Sequence, residues 1–211
     1  MSAPPSEGSS TAQVVLWDVG NVLLHWDIRR LFGTVFDDPD EMEQFLAEVW
    51  TPAHNLRCDA GETFESVMAE PIARHPHYET QIRAAQDRWI ETITGPVEGM
   101  ESLLTELRDA GIPQYGLTNF SAETFPLVDH HPHFELLDGV VVSGRLGSVK
   151  PDPAIYREAV RLAGVPADAT LFFDDSQENV DGALAVGIRA VRFEDSVQAR
   201  AALCRHGLLT A

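Results

Sequence analysis

The chain has 211 residues and carries 33 Asp and Glu against 15 Lys and Arg, a formal net charge of −18. A field of that sign repels a nucleic-acid backbone, and no basic cluster relieves it, so no nucleic-acid partner is expected. Hydrophobic residues make up 44% of the chain, enough to bury a sizeable core, and no apolar run approaches the roughly 18 residues that span a bilayer.

Residues 1–12 are rich in Ser, Pro and Gly and hold no Lys or Arg. They lack the layout of a signal peptide and read as a disordered tail. Cys58 and Cys204 are the two cysteines, in no CxxC pair, which fits a reducing cytoplasm. The segment 13–19, with V-V-L-W running into Asp18, predicts a short buried strand. From 28 to about 94 the apolar residues recur at spacings of three and four: Leu31, Phe32, Val35 and Phe36, then Met42, Phe45, Leu46 and Val49, then Phe64, Val67 and Met68, then Ile82 and Trp89. This predicts a helical block without strands, ended by Gly95-Pro96.

Beyond it the pattern alternates. Helices are expected over 100–110, 121–130, 153–163, 179–186 and 196–206, with Gly111, Gly164 and Gly187 as stops for three of them. Strands are expected over 114–118, 137–142, 170–173 and 188–193. Strand–helix alternation implies an α/β fold, a Rossmann-like parallel sheet with helices on both faces. The core is then 13–27 with 95–211, and 28–94 is a helical insertion after the first strand.

Ligands bind open parallel sheets at the carboxyl ends of the strands. Four strand ends bring chemistry to that edge: Asp18, Thr118-Asn119, Asp174-Asp175 and, a loop beyond the strand at 137–142, Lys150. The segments L-W-D18-V-G-N-V-L-L, G-L-T118-N119-F-S, S-V-K150-P-D-P and L-F-F-D174-D175-S-Q-E-N resemble the haloacid dehalogenase-like (HAD) hydrolase superfamily, in the family's order and over about 13–193. The D-x-G-N-V start is similar to sugar-phosphate phosphatases in particular. The resemblance implies a phosphatase acting on a small phosphorylated metabolite through an aspartyl-phosphate on Asp18.

The residue chemistry agrees. Two unit charges about 4 Å apart at an effective dielectric near 20 repel by about 4 kcal/mol, so a phosphate facing Asp18, Asp174 and Asp175 needs cations. A hard dication such as Mg²⁺ takes oxygen ligands of this type. Asp18 and Asp175 are its expected side-chain ligands, and the resemblance adds the backbone carbonyl of Gly20. Lys150 supplies a second cation, and Thr118 and Asn119 are expected to donate to phosphoryl oxygens. Asp174 is read as orienting Lys150 or capping a helix, and Asn179 as holding a metal-bound water or capping.

Gly20 stands where most phosphatases of this family carry an Asp that protonates the leaving group. His25 and Asp27, just downstream, are candidate substitutes, as is water. The insertion resembles the family's small helical cap, and its segment 54–62, expected to lie between helices, offers His54 and Arg57 as substrate contacts. Two other readings stay open. One is a haloacid dehalogenase using Asp18 on carbon, which the acidic pair Asp174-Asp175 disfavours. The other is a non-catalytic binding module, motivated by Gly20.

Overall fold

Val14–Trp17 forms β1, four consecutive buried apolar residues, in the computed structural model, which describes residues 11–210. Most of the expected tail lies outside the described residues, and Ala12 at its end is buried in the core. After β1 come β2 (Leu24–Trp26) and five helices: α1 (Ile28–Phe32), α2 (Pro39–Glu48), α3 (Pro52–Asp59), α4 (Phe64–Arg74) and α5 (Glu79–Asp87). The chain continues through β3 (Ile93–Pro96), α6 (Met100–Asp109), β4 (Gln114–Thr118), β5 (Gly139–Val142) and α7 (Ser143–Leu146). It ends with α8 (Pro153–Ala163), β6 (Thr170–Asp174), α9 (Gln177–Ala185), β7 (Arg189–Arg192) and α10 (Ser196–Arg205). Among the described residues no helix is long and apolar enough to cross a membrane.

Five strands form one sheet in the order β5-β4-β1-β6-β7, and every neighbouring pair is parallel. The expected α/β architecture therefore holds. Side chains alternate across it. Leu16, Leu117, Val141 and Phe172 share a core with Ile155, Tyr156 and Ala159 of α8 and Ala183 of α9. Val15, Trp17, Leu171 and Phe173 share the other with Met100, Leu103, Leu104 and Leu107 of α6 and Ala199, Ala202 and Leu203 of α10. Trp17 stacks on Phe173 at 4.7 Å between centroids, and its indole N–H donates to Gln114 Oε1 at 3.1 Å. The chain builds outward from β1 in one direction and then returns to build in the other. This reversal of order opens a crevice at the carboxyl end of β1.

Three expectations fail, each for a local reason. The segment 54–62, expected between helices, is helical as far as Asp59, because Pro52 and the Thr51–His54 capping box start α3 just ahead of it. The stretch 93–96, read as the end of a helical block and a breaker, is β3, which pairs antiparallel with β2 through Leu24↔Pro96 and His25↔Gly95. A four-residue strand holding Gly and Pro has no alternation to detect, and its partner lies on the far side of the helical block. The helix expected over 121–130 is a run of turns with one 3₁₀ segment, Phe125–Leu127. Pro126 has no N–H to give to an α-helical ladder, so the segment takes a tighter turn.

The β2–β3 ribbon is the neck from which α1–α5 depart and return. This block has its own packing: Phe32, Phe36, Phe45 and Tyr78 lie with neighbouring ring centroids within 6.3 Å in tilted and edge-on arrangements. It is also tied to the sheet domain. Ser143 Oγ donates to the Asp59 carbonyl at 2.6 Å and accepts from Phe120 N at 2.8 Å. Phe64 N donates to Glu123 Oε2 at 2.9 Å. Gly61, at φ +100, sits so close to Gly144 that an added Cβ would stand 3.0 Å from its carbonyl oxygen, so a side chain there would meet both strain and a clash.

Candidate active site

Asp18 is the first residue past β1. Its N–H still donates to Phe173 O of β6 at 2.9 Å, which anchors it at the sheet edge. Its Oδ1 accepts from Val19 N at 2.7 Å and lies 2.8 Å from Lys150 Nζ. The chain then turns sharply: Leu23 N and Leu24 N both donate to Val19 O at 2.9 Å. Asn21 takes a left-handed backbone with φ 56 in this turn, a conformation Asn tolerates better than most residues. Its Oδ1 accepts from Trp26 N at 3.1 Å, and its side chain also hydrogen-bonds the Asp175 carboxylate.

Lys150 is held at both ends. Asn119, just past β4, accepts from Lys150 N at 2.7 Å through Oδ1 and donates to Lys150 O at 3.1 Å through Nδ2. The ammonium meets three oxygens: Leu117 O at 3.0 Å, Asp174 Oδ2 at 2.7 Å and Asp18 Oδ1 at 2.8 Å. Asp174, fully buried at the end of β6, also accepts from Ser176 N at 2.8 Å and from Asn179 Nδ2 at 3.0 and 3.1 Å. Asp174 thus joins the Lys150 ammonium to Ser176 N at the start of α9 and to the Asn179 amide.

The electrostatics follow from crowding. Burial raises the Asp18 carboxyl to about 7, with Lys150 opposing and Asp174 and Asp175 adding to the rise. Burial also raises Asp175, helped by Asp174 and opposed by Lys150. Burial pulls the Lys150 ammonium down, but Asp18 and Asp174 more than offset this and hold it above the ordinary lysine value. Asp18, Asp174 and Asp175 each offer a carboxylate oxygen within 4.8 Å of the others. Three acids against one Lys leave an excess of negative charge. An oxygen-only donor set of this kind fits a hard dication.

The cluster floors a cavity of about 220 Å³. Gly20, Thr118, Asn119, Lys150, Asp175 and Asn179 line it with Asp18, so the residues gathered from separate strand ends do converge. Apolar side chains line it too, from Leu24, Trp26, Phe64, Trp89, Ile93 and Phe120. At Gly20 an added Cβ would meet nothing within 4 Å.

Four expected residues lie elsewhere. His25 is exposed on β2 and does not line the cavity, and Asp27 is spent as the cap of α1, accepting from Arg29 N at 2.9 Å. His54 closes a capping box with Thr51 at the start of α3 and stacks on Trp50 at 5.2 Å. Arg57 forms a two-bond ion pair with Glu62 at 2.8 and 2.5 Å on the outer face of α3. A helix turns about 100° per residue, so only some positions of one short helix face inward. Asn55, Cys58 and Asp59 do so and line the cavity. Arg57→Ala is therefore expected to leave KM for the substrate unchanged in steady-state kinetics, and a rise would place Arg57 on the substrate. Asn21 and Asp59 were not singled out from the sequence. No periodicity in 52–59 set Asp59 apart from its neighbours, whereas Asn21 sits inside the motif that follows Asp18.

The family model for haloacid dehalogenase-like hydrolases matches residues 12–187. A sesquiterpene phosphatase of Aspergillus oryzae is 30% identical over 195 residues, covering 89% of this chain and 93% of its own. A phosphoglycolate phosphatase of Pseudomonas savastanoi pv. phaseolicola is 30% identical over 182 residues, with 76% of this chain and 66% of the relative covered. A drimenol cyclase of Aspergillus calidoustus is 24% identical over 195 residues, covering 88% of this chain and 35% of that protein's length. Among solved structures, a HAD family enzyme of Bacteroides thetaiotaomicron in complex with magnesium and inorganic phosphate shares the fold at TM-score 0.69 and 21% identity, covering 88% of this chain and 96% of that one. A dehalogenase shares it at TM-score 0.64 and 17% identity, with 86% and 84% covered; at such identities the likeness is one of fold. With the motif-bearing strand ends converging as described, the match over most of the chain makes this protein a member of the haloacid dehalogenase-like hydrolase family.

Proposed function

We propose that this hydrolase is a Mg²⁺-dependent phosphomonoesterase that attacks phosphorus with Asp18. The observation that carries the reading is the buried chain of ion pairs from Asp18 through Lys150 to Asp174, beside Asp175 on the cavity floor. Lys150 fixes the Asp18 carboxylate and places positive charge where phosphoryl oxygens arrive. Thr118, whose side chain lines the cavity, is the hydroxyl donor to the phosphoryl group. Asn119 acts mainly by holding the Lys150 backbone. Asp18, Asp175 and the Gly20 carbonyl are the groups that hold Mg²⁺, and the bound ion supplies the charge that lets an anionic acid approach an anionic ester. Asp18 forms an aspartyl-phosphate, which water then hydrolyses. The helical block is a cap that closes over the ester and excludes water.

The relatives named as phosphatases support this chemistry over attack on carbon. The apolar lining argues for the organic group. A sugar offers hydroxyls on every side, and Leu24, Trp26, Phe64, Trp89, Ile93 and Phe120 give them no partners, which leaves Asn55 and Asp59 of α3 as the polar groups the inserted block brings to the cavity. We therefore favour the monophosphate of an apolar alcohol, the type of substrate suggested by the sesquiterpene phosphatase relative, over a sugar phosphate. Purified protein should release phosphate from farnesyl phosphate only with Mg²⁺ present, with kcat/KM at least about tenfold above that for glucose 6-phosphate, as a few buried CH₂ groups allow. Release that survives EDTA, or chloride release from a 2-haloacid, would overturn the reading.

A further inference from the structure

We propose that Asp59, at the end of α3, gives the proton to the leaving oxygen from the helical side of the cavity, doing the work for which Gly20 has no side chain. This rests on the phosphatase reading. The case begins with an unfilled place: the space beside Gly20 is open, with nothing within 4 Å of an added Cβ. Among the described residues three carboxyl groups line the cavity, those of Asp18, Asp59 and Asp175. Asp18 is paired with Lys150, and Asp175 is bonded by Asn21 beside it. Both belong to the floor, where the phosphoryl group sits. Asp59 is the remaining carboxyl, brought to the cavity by α3 of the inserted block and within reach of the Lys150 charge. Its neighbour Cys58 also lines the cavity, but burial pushes that thiol up to about 12, too weak an acid for the task.

The fold holds Asp59 in place although it belongs to the inserted block. Its carbonyl accepts from Ser143 Oγ at 2.6 Å, and its carboxylate accepts from the Ser121 N–H. Two residues on, Gly61 packs against Gly144. The side chain is therefore fixed relative to the sheet edge that carries Asp18.

The surroundings suit a group that both gives and takes a proton near neutrality. Burial pushes the Asp59 carboxyl up to about 7, against the pull of the Ser121 N–H and the Lys150 charge. The charge that acts on it is that of Lys150, from the loop before α8; Asp18 and Asp175 line the same cavity, and Glu123 stands beside the neighbouring Cys58 and caps the start of α4. In the first half-reaction an Asp18 oxygen bonds to phosphorus, the bond from phosphorus to the ester oxygen breaks, and that oxygen leaves as the alcohol with the Asp59 proton. In the second, Asp59 takes a proton from water, whose oxygen bonds to phosphorus as the bond to Asp18 breaks, releasing inorganic phosphate.

The test separates a proton donor from a structural residue by the leaving group. A p-nitrophenolate departs without protonation, whereas an alkoxide does not. Asp59→Asn should lower kcat/KM for farnesyl phosphate by about 10²–10⁴-fold and leave that for p-nitrophenyl phosphate within about tenfold of wild type. With the aryl ester it should show a burst of one p-nitrophenolate per enzyme, because the aspartyl-phosphate then waits for water that has lost its base. Asp59→Glu should restore part of the alkyl activity. In the wild type, kcat/KM for the alkyl ester should fall as pH rises past about 7, and this limb should vanish with the aryl ester. Equal losses on both esters, or no loss on either, overturn the assignment while leaving the phosphatase reading standing. A wild-type enzyme inactive on both esters with Mg²⁺ removes the two together.

Discussion

Asp18→Asn is expected to reduce phosphate release by on the order of 10⁴-fold or more, the scale seen when a nucleophile that acts with its neighbours is removed. The carboxamide keeps the shape but cannot attack phosphorus, and it is a poor ligand for Mg²⁺. The folding outcome should run the other way. Burial and two neighbouring acids disfavour the ionised Asp18 carboxyl, raising it to about 7. A group raised in this way contributes stability below its unfolded value and loses it as pH rises through the folded one. At alkaline pH the metal-free protein therefore carries a penalty at Asp18 that Asn removes. Lys150 keeps Asp174 as its partner in the variant. Differential scanning calorimetry in EDTA at pH 8 should show a Tm equal to or above the wild type, alongside the lost activity. An inactive variant that is also strongly destabilised would mean that Asp18 serves the fold rather than the chemistry. Retained turnover would remove it as the nucleophile.

Lys150→Met is expected to damage both stability and activity. The Lys150 side chain is 1% exposed and lies between two acids that are themselves almost wholly buried. Methionine matches the length but leaves Asp18 and Asp174 facing each other uncompensated. Breaking a buried pair in this way costs about 3–5 kcal/mol. For a chain of this size, about 2–4 °C per kcal/mol translates that into a Tm lower by roughly 6–20 °C. Because Lys150 is held above its ordinary value, its contribution is complete at neutral pH and fades only on the alkaline side, so the loss should be measurable at pH 7. Adding Asp174→Asn to Lys150→Met should recover part of the loss, since the second change removes the stranded charge, and a double-mutant cycle reads this as a coupling. Simple additivity of the two changes would show that the pair is not the unit described here.

The sheet was legible because its strands carry the signal that burial requires. Leu16 and Trp17, or Phe172 and Phe173, must both be apolar when helices cover the two faces of a parallel sheet, and the resulting runs stand out between glycine-stopped helices. The neck formed by β2 and β3 was not legible. Its strands are three and four residues long, one of them holds Gly95 and Pro96, and each exists only because the other lies beside it. The turn region around Pro126 shows the opposite failure, a periodic pattern overruled by one missing backbone donor.

The same division runs through the site. Asp18, Thr118, Asp174 and Asp175 could be named from the chain because each stands at or just beyond a strand end, and Lys150 because the segment after β5 returns to the same edge, where the strand ends of a parallel sheet all open. What the residues do for one another needed the fold. That Asn119 clasps the Lys150 backbone, that Asn179 steadies Asp174 and that Asn21 reaches Asp175 are contacts between distant stretches of chain. The inserted block was least readable. Its sequence established amphipathic helices, but which side of α3 meets the sheet edge depends on the neck and on the Ser143 and Gly144 contacts. Those contacts turn Asp59 toward the cavity and Arg57 toward Glu62. Local periodicity determines that a helix has a buried side, and only packing against the rest of the chain decides what that side is buried against.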